Sequence, residues 1–291
     1  METIYCPYTG RDVPLQETSL EHVFPRALGG NAQFSIPVHS KTNSHVGSKV
    51  DGEISREFVI NRHRANHDAR GHSGKVPLIV QKAKDSQTGK PIQLRWGKRL
   101  DVYDPIGRRR VKGVQFDWQF SIDVDIRLRF LAKAFLSGGY FTYGETFRSS
   151  VQMDDARLLM SKAPRDMSRE EHASVRLRAF QWWSDELPPG QLEIFRLQND
   201  ICTVVDGSFL VFKPGRDRLE VFGSALGAYL GMLNVPANTA AFPRSGEHEV
   251  GHAIVVKGGR MRRLSLRDLI DEVLPGIEAL RIARETSGDE P

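Results

Sequence analysis

Apolar and polar positions alternate with different periods along the chain, and the changes of period divide it into three parts. Residues 1–75 contain many turn formers and few long periodic runs, which predicts a compact, irregular unit of short strands and one helix. The stretches KVPLIVQKA (75–83) and PIQLRWGKRLDVYD (91–104) alternate with period two and are joined through KDSQTGK, which predicts a β-hairpin. GVQFDWQFSIDVD (113–125) alternates in the same way. From there the period becomes helical: Val124, Ile126, Leu128, Leu131, Ala132 and Phe135 fall on one face, with Gly138-Gly139 as the expected stop. Two further helices are predicted over 153–163 and 168–187, the second opening on Ser168 and Glu171 as a capping box. After the linker-like ELPPGQ (186–191), residues 192–231 read as strands separated by Asp-Gly and Pro-Gly. HAIVVKGGRMRRLSL predicts a hairpin around Gly258-Gly259, and a last helix carries Leu266, Leu269, Ile270, Val273 and Leu274. The pattern is that of an α+β chain with parts at 1–75, 76–190 and 191–291.

Composition narrows the class. Hydrophobic residues make up 40% of the 291 and charged residues 26%, as in ordinary globular proteins. No apolar run approaches the roughly 18 residues of a membrane span, and no signal-peptide pattern opens the chain, so no membrane partner is expected. Only Cys6 and Cys202 are present, which argues against a disulfide framework and for a reducing, cytoplasmic setting.

Charge is unevenly placed. Residues 1–114 hold 19 Lys and Arg against 11 Asp and Glu, a balance of +8, whereas the remainder is at −3. Six of the nine histidines (His22, His39, His45, His63, His67 and His72) lie in the same basic part. Such a unit suits a polyanionic partner, because Lys and Arg release counterions from a phosphate backbone.

Two stretches carry candidate chemistry: EHVFPRALGG (21–30) and VHSKTNSHVGSKVD (38–51). Hydrolysis of a phosphodiester needs a base to deprotonate water and a cation to stabilise the charge that develops on oxygen. Histidine as a residue type suits the first task, because imidazole titrates near neutrality. Neighbours on a strand point to opposite faces, so Glu21 can reach a cation while His22 faces the water. The amide carbonyl of Asn43 is a suitable hard donor for Mg²⁺.

Over roughly residues 3–75, these two stretches together resemble the core of HNH endonucleases, the ββα-metal nucleases. The resemblance implies a fold in which an acid-histidine pair ends a first strand, a Pro and Gly-rich loop follows, and an Asn lies early in the next helix. It implies Glu21 and Asn43 as ligands of Mg²⁺ or Mn²⁺ and His22 as general base. The Asn that orients the base has Asn31 as its nearest counterpart here, with Gln33 next. Asp51 is either a third cation ligand or a partner of nearby basic residues. Many members carry a zinc site around this core, and its four places here read Cys6, Thr9, His39 and Thr42. Threonine is a poor zinc ligand, so structural zinc is not expected.

The resemblance implies DNA as the partner, in a setting such as restriction, phage defence or mobile-element biology. Arg56, Arg62, Arg64, Arg70 and Lys75 follow the expected helix and are candidate phosphate contacts. GRRRVKG (107–113) is another, and Trp182 and Trp183 are either core or base-stacking residues. Residues 191–291 are of unknown role and could carry a homodimer or partner-protein contact. The alternative is a catalytically inactive nucleic-acid-binding protein on the same core. A third possibility is a zinc peptidase through His248-Glu249-Val250-Gly251-His252, which matches H-E-x-x-H. Its glycines and following β-branched run suit a loop entering a strand rather than the helix that motif needs.

Overall fold

The computed structural model describes residues 2–71, 74, 75, 77–180 and 189–287, so Trp182 and Trp183 lie outside the described residues. The chain begins with two small antiparallel pairs. Strands β1 (Thr3–Cys6) and β2 (Arg11–Pro14) form one; β3 (Thr18–His22) and β4 (Ser35–His39) form the other. Helix α1 (Ser40–Val46) leaves β4 directly and continues through one wide turn (Gly47–Asp51) into α2 (Gly52–Ile54), and α3 (Phe58–Asn66) follows. The N-terminal part therefore has more regular structure than its turn-rich composition predicts.

The hairpin expected at 75–104 is present and larger than expected. β5 (Ile79–Lys84), β6 (Pro91–Trp96), β7 (Leu100–Asp104) and β8 (Arg109–Val111) form a four-stranded antiparallel sheet. Gly97 amide donation to the Arg99 carbonyl closes the turn that divides 91–104 into two strands. Residues 113–122 alternate but form no strand. Trp118 and Phe120 instead pack on Phe58, so the alternation marks an apolar contact made by an extended segment.

Helix α4 (Val124–Tyr143) is the central element. It does not stop at Gly138-Gly139, because those glycines serve close packing instead. A Cβ at Gly138 would lie 2.7 Å from Leu210 Cδ1, and one at Gly139 would collide with the Phe147 ring. Short helices α5 (Glu145–Ser150), α6 (Asp154–Ser161) and α7 (Arg169–Ser174) follow. The capping box of Ser168 and Glu171 is formed, but α7 is much shorter than the helix expected over 168–187. It gives way to β9 (Arg178–Phe180), which pairs with a strand of the large sheet.

That sheet is six-stranded and antiparallel. It comprises β9, β10 (Ser208–Pro214), β11 (Arg218–Ala225), β12 (Ala228–Pro236), β13 (His252–Lys257) and β14 (Arg260–Ser265), in the order β14-β13-β10-β11-β12-β9. Residues 192–205, read as strand-like, lie in helix α8 (Pro189–Val205), which starts within the linker-like stretch; Phe195, Gln198, Cys202 and Val205 are part of its buried stripe. The polar Gln198 interrupts that stripe in sequence and is buried by accepting from the Tyr229 hydroxyl at 2.8 Å. Helix α9 (Leu266–Ser287) is the last described element and buries Leu266, Leu269, Val273 and Ile277.

Strand β10 reads as an unbroken apolar run because both faces of the sheet are covered. Phe209 and Val211 face α8 and α9, whereas Leu210 and Phe212 face α4. The α4 side is one contiguous core that runs from Tyr5 through Phe130 to Val256 and crosses the expected part boundaries at 75 and 190. The described architecture is α+β, and among the described residues no helix is long and apolar enough to cross a membrane.

Candidate functional site

Strands β3 and β4 pair in a register that puts Glu21 opposite Ile36 and His22 opposite Ser35. Alternation along β3 turns Glu21 inward, where it is 5% exposed, and leaves His22 half-buried. The loop from β3 to β4 folds back on itself. The Val23 amide donates to the Phe34 carbonyl, Gly29 turns in the left-handed region (φ +76°), and a Cβ at Gly30 would collide with the Phe24 carbonyl. Asn43 lies in the second turn of α1, and its Nδ2 donates to Ser19 Oγ (2.9 Å) and the Leu20 carbonyl (3.3 Å). Glu21, His22 and Asn43 thereby line one cleft of about 610 Å³, together with Arg26, Asp51 and Gly52.

A residue that the sequence did not single out holds the floor of this cleft. Lys133 of α4 is fully buried, with its ammonium 2.5 Å from Glu21 Oε1 and 3.0 Å from Asp51 Oδ1. It also donates to the carbonyls of His22 (3.0 Å) and Val23 (3.3 Å). Burial alone would lower the Lys133 pKa, but the Asp51 and Glu21 carboxylates outweigh it and hold the amine above its ordinary value. Two more α4 cations reach acids of the N-terminal part. Arg127 is 3.2 Å from Glu57, and Arg129 is 2.7 Å from Glu53. Glu57 in turn accepts from the Ile60 amide and caps α3. The signal in sequence is three cations within an otherwise apolar helix, which require buried acids as partners.

Burial pushes the Asp51 carboxyl up to about 6, against the pull of the Lys133 ammonium, and Glu21 adds to the rise. A folded-state pKa above the ordinary 3.8 means that the native state favours protonated Asp51. The stability from this group is therefore fully present below 3.8 and lost as pH rises through about 6. Asp51→Asn is expected to flatten the stability change across that window, measured by urea unfolding from pH 4 to pH 7. An unchanged slope would place the titration elsewhere.

The donor set fits a divalent cation that keeps much of its coordination for water and phosphate. Both the Tyr8 hydroxyl (3.0 Å) and Lys133 contact Glu21 through Oε1, and Oε2 takes part in neither contact. Asn43 uses its amide nitrogen on β3, which leaves Oδ1 as the acceptor end. Two carboxylates against one ammonium leave the cluster with net negative charge when all three groups are ionised.

The remaining expected residues are placed unequally. Asn31 is committed elsewhere: its Nδ2 donates to the Gly259 carbonyl in the β13-β14 turn, and its Oδ1 accepts from the Gln33 amide. It thus anchors the loop to the large sheet. Arg64 is also structural, because its Nε donates to the Ala27 carbonyl (2.8 Å) and its Nη1 to the Ser55 carbonyl (2.7 Å). It clamps the loop after His22 to the end of α2. Arg64→Ala is expected to lose on the order of 2 kcal/mol of stability, read by chemical denaturation, with these charge-assisted bonds gone. Arg56 is exposed, with its guanidinium beside Gly52 of the cleft. Arg62 is exposed over the Trp96 ring, and Arg70 donates to the Gly74 carbonyl; Lys75 is exposed. Arg26, not foreseen, stands exposed at the cleft.

Three of the four places of the zinc site meet through hydrogen bonds, and Thr9 Oγ1 is buried with no hydrogen-bond partner among the described residues. The His39 amide meets Cys6 Sγ at 3.4 Å, and His39 Nδ1 lies 3.0 Å from Thr42 Oγ1. Of the H-E-x-x-H stretch, His248 closes a short turn (Gly246–His248) and His252 begins β13, while Glu249 pairs with Arg267 at 2.9 Å on the surface. Without a helix to set both histidines around Glu249, the peptidase arrangement is not formed. Comparison of the chain with models of protein families, with curated proteins and with solved structures finds no match.

Proposed function

We propose that the chain is a metal-dependent endonuclease of the HNH type that hydrolyses DNA phosphodiester bonds in the Glu21, His22 and Asn43 cleft. The observation that carries this reading is the convergence of those three side chains, from the end of one strand and the second turn of the following helix, on one cleft. His22 accepts a proton from a water molecule as that water's oxygen attacks phosphorus, and the bond from phosphorus to the leaving sugar oxygen breaks. Glu21 through Oε2 and Asn43 through Oδ1 would hold Mg²⁺ or Mn²⁺, which when bound stabilises charge on the scissile phosphate and the leaving oxygen. Lys133 is a positioning residue: its bonds to the carbonyls of His22 and Val23 fix the strand end that carries the base.

Arg26 and Arg56 flank the cleft and suit the neighbouring phosphates. Arg56→Ala is expected to weaken binding alike for all sequences and to lower the salt dependence by about one phosphate contact, measured by fluorescence anisotropy over a salt series. An unchanged salt slope would remove Arg56 from the interface.

One observation favours a second reading, a nucleic-acid-binding protein without cleavage: the Lys133 ammonium already lies 2.5 Å from the expected cation ligand Glu21. Plasmid incubated with the full chain and Mg²⁺ or Mn²⁺ separates the two. Nicking supports the nuclease, and retained binding without nicking supports the binding protein.

A further inference from the structure

The turn before β13 and the start of that strand bring together residues that the cleft does not use. One donor atom each from Glu247, His248 and His252 lies within 4.8 Å of the other two. The two imidazoles stack with ring centroids 4.5 Å apart. His252 is fully buried, and its Nδ1 pairs with the Glu247 carbonyl at 2.7 Å. As neutral imidazole that nitrogen carries the proton, so Nε2 presents its lone pair. A backbone carbonyl that fixes a histidine tautomer in this way is the usual outer support of a metal ligand.

Three polar atoms of this cluster, His252 Nε2, His248 Nδ1 and Tyr143 Oη, are buried with no hydrogen-bond partner among the described residues. Buried polar atoms are seldom left so, and here three are neighbours: the Tyr143 ring lies 5.5 Å from that of His248 and 6.4 Å from that of His252. The intervening backbone is strained. Val250 adopts φ +64°, rare for a β-branched residue, and a Cβ at Gly251 would lie 2.6 Å from the Phe212 carbonyl.

We propose that Glu247, His248 and His252 form a binding site for a divalent transition metal of the zinc class, separate from the Glu21 cleft. Two imidazole nitrogens and one carboxylate oxygen suit Zn²⁺ or Co²⁺ far better than Mg²⁺, which prefers oxygen donors throughout. Arg263 (2.8 Å) and His248 Nε2 (3.4 Å) both approach Glu247 through Oε1, so the carboxylate has Oε2 to offer. Glu249 belongs to the surface pair with Arg267 and has no part in the site. The metal fastens the 246–251 loop to the large sheet; its role is structural rather than hydrolytic.

The test is a Co²⁺ titration of the full chain, stripped with chelator and held in excess Mg²⁺ to occupy oxygen-donor sites, read by visible absorption. One equivalent is expected to develop a low-symmetry Co²⁺ spectrum that Zn²⁺ abolishes. His248→Gln, at a partly exposed position, is expected to weaken the affinity at least about tenfold. Glu249→Gln and Glu21→Gln are expected to leave it unchanged, and near-ultraviolet circular dichroism reports whether each variant is folded. No saturable spectrum, a spectrum unaffected in folded His248→Gln, or one lost in Glu21→Gln would overturn the proposal. None of these readouts depends on DNA cleavage, so the proposal can fail while the nuclease reading stands, and the reverse.

Discussion

His22→Ala is expected to lower the rate of plasmid cleavage by about 10²–10⁴-fold, the range that a positioned general base contributes. The loss should fall on kcat with KM for DNA nearly unchanged, because the phosphate contacts assigned to Arg26 and Arg56 remain. The fold should survive: the link between β3 and Lys133 at this position runs through the His22 carbonyl, not its imidazole. Added imidazole should restore part of the rate if the missing group is a base. Cleavage that proceeds at the original rate in the variant would remove His22 from that role.

Lys133→Met is expected to destabilise the chain by about 3–5 kcal/mol, the range for removing one partner of a buried charge pair. Methionine fills much of the volume but leaves Glu21 and Asp51 buried without their common cation, and the carbonyls of His22 and Val23 without a donor. Adding Asp51→Asn should recover part of the loss, because one of the two uncompensated carboxylates is then gone. Urea unfolding of the wild type, the single variants and the double variant measures this. Additive losses would contradict the shared role of Lys133.

The cleft was legible where its geometry is local. Glu21 and His22 are neighbours on a strand, and the chain from His22 to Asn43 is short enough for turn signals to fix the path. Lys133 was not legible as a partner, because its contacts span more than a hundred residues and depend on how α4 lies across β3 and the turn at Asp51. Its unusual setting between Ala132 and Ala134 on a buried helix was visible, but the acids that pair with it were not. Asn31 shows the converse. Its position in the motif is local, yet its side chain answers to Gly259 in a hairpin remote in sequence. The segment at 192–205 failed for a different reason: β-branched Thr203, Val204 and Val205 suggest a strand, and the polar Gln198 hides a helical stripe that Tyr229 completes. The two histidines of H-E-x-x-H do come together, but through a turn and a strand, and with Glu247 rather than Glu249.

The most direct measurement is conversion of supercoiled plasmid by the full chain in Mg²⁺ or Mn²⁺, beside the same reaction in chelator. The expected result is nicked or linear DNA in the presence of either cation and intact plasmid in chelator. Plasmid that is bound but stays supercoiled with both cations would contradict the nuclease and leave a binding protein whose Glu21 is served by Lys133.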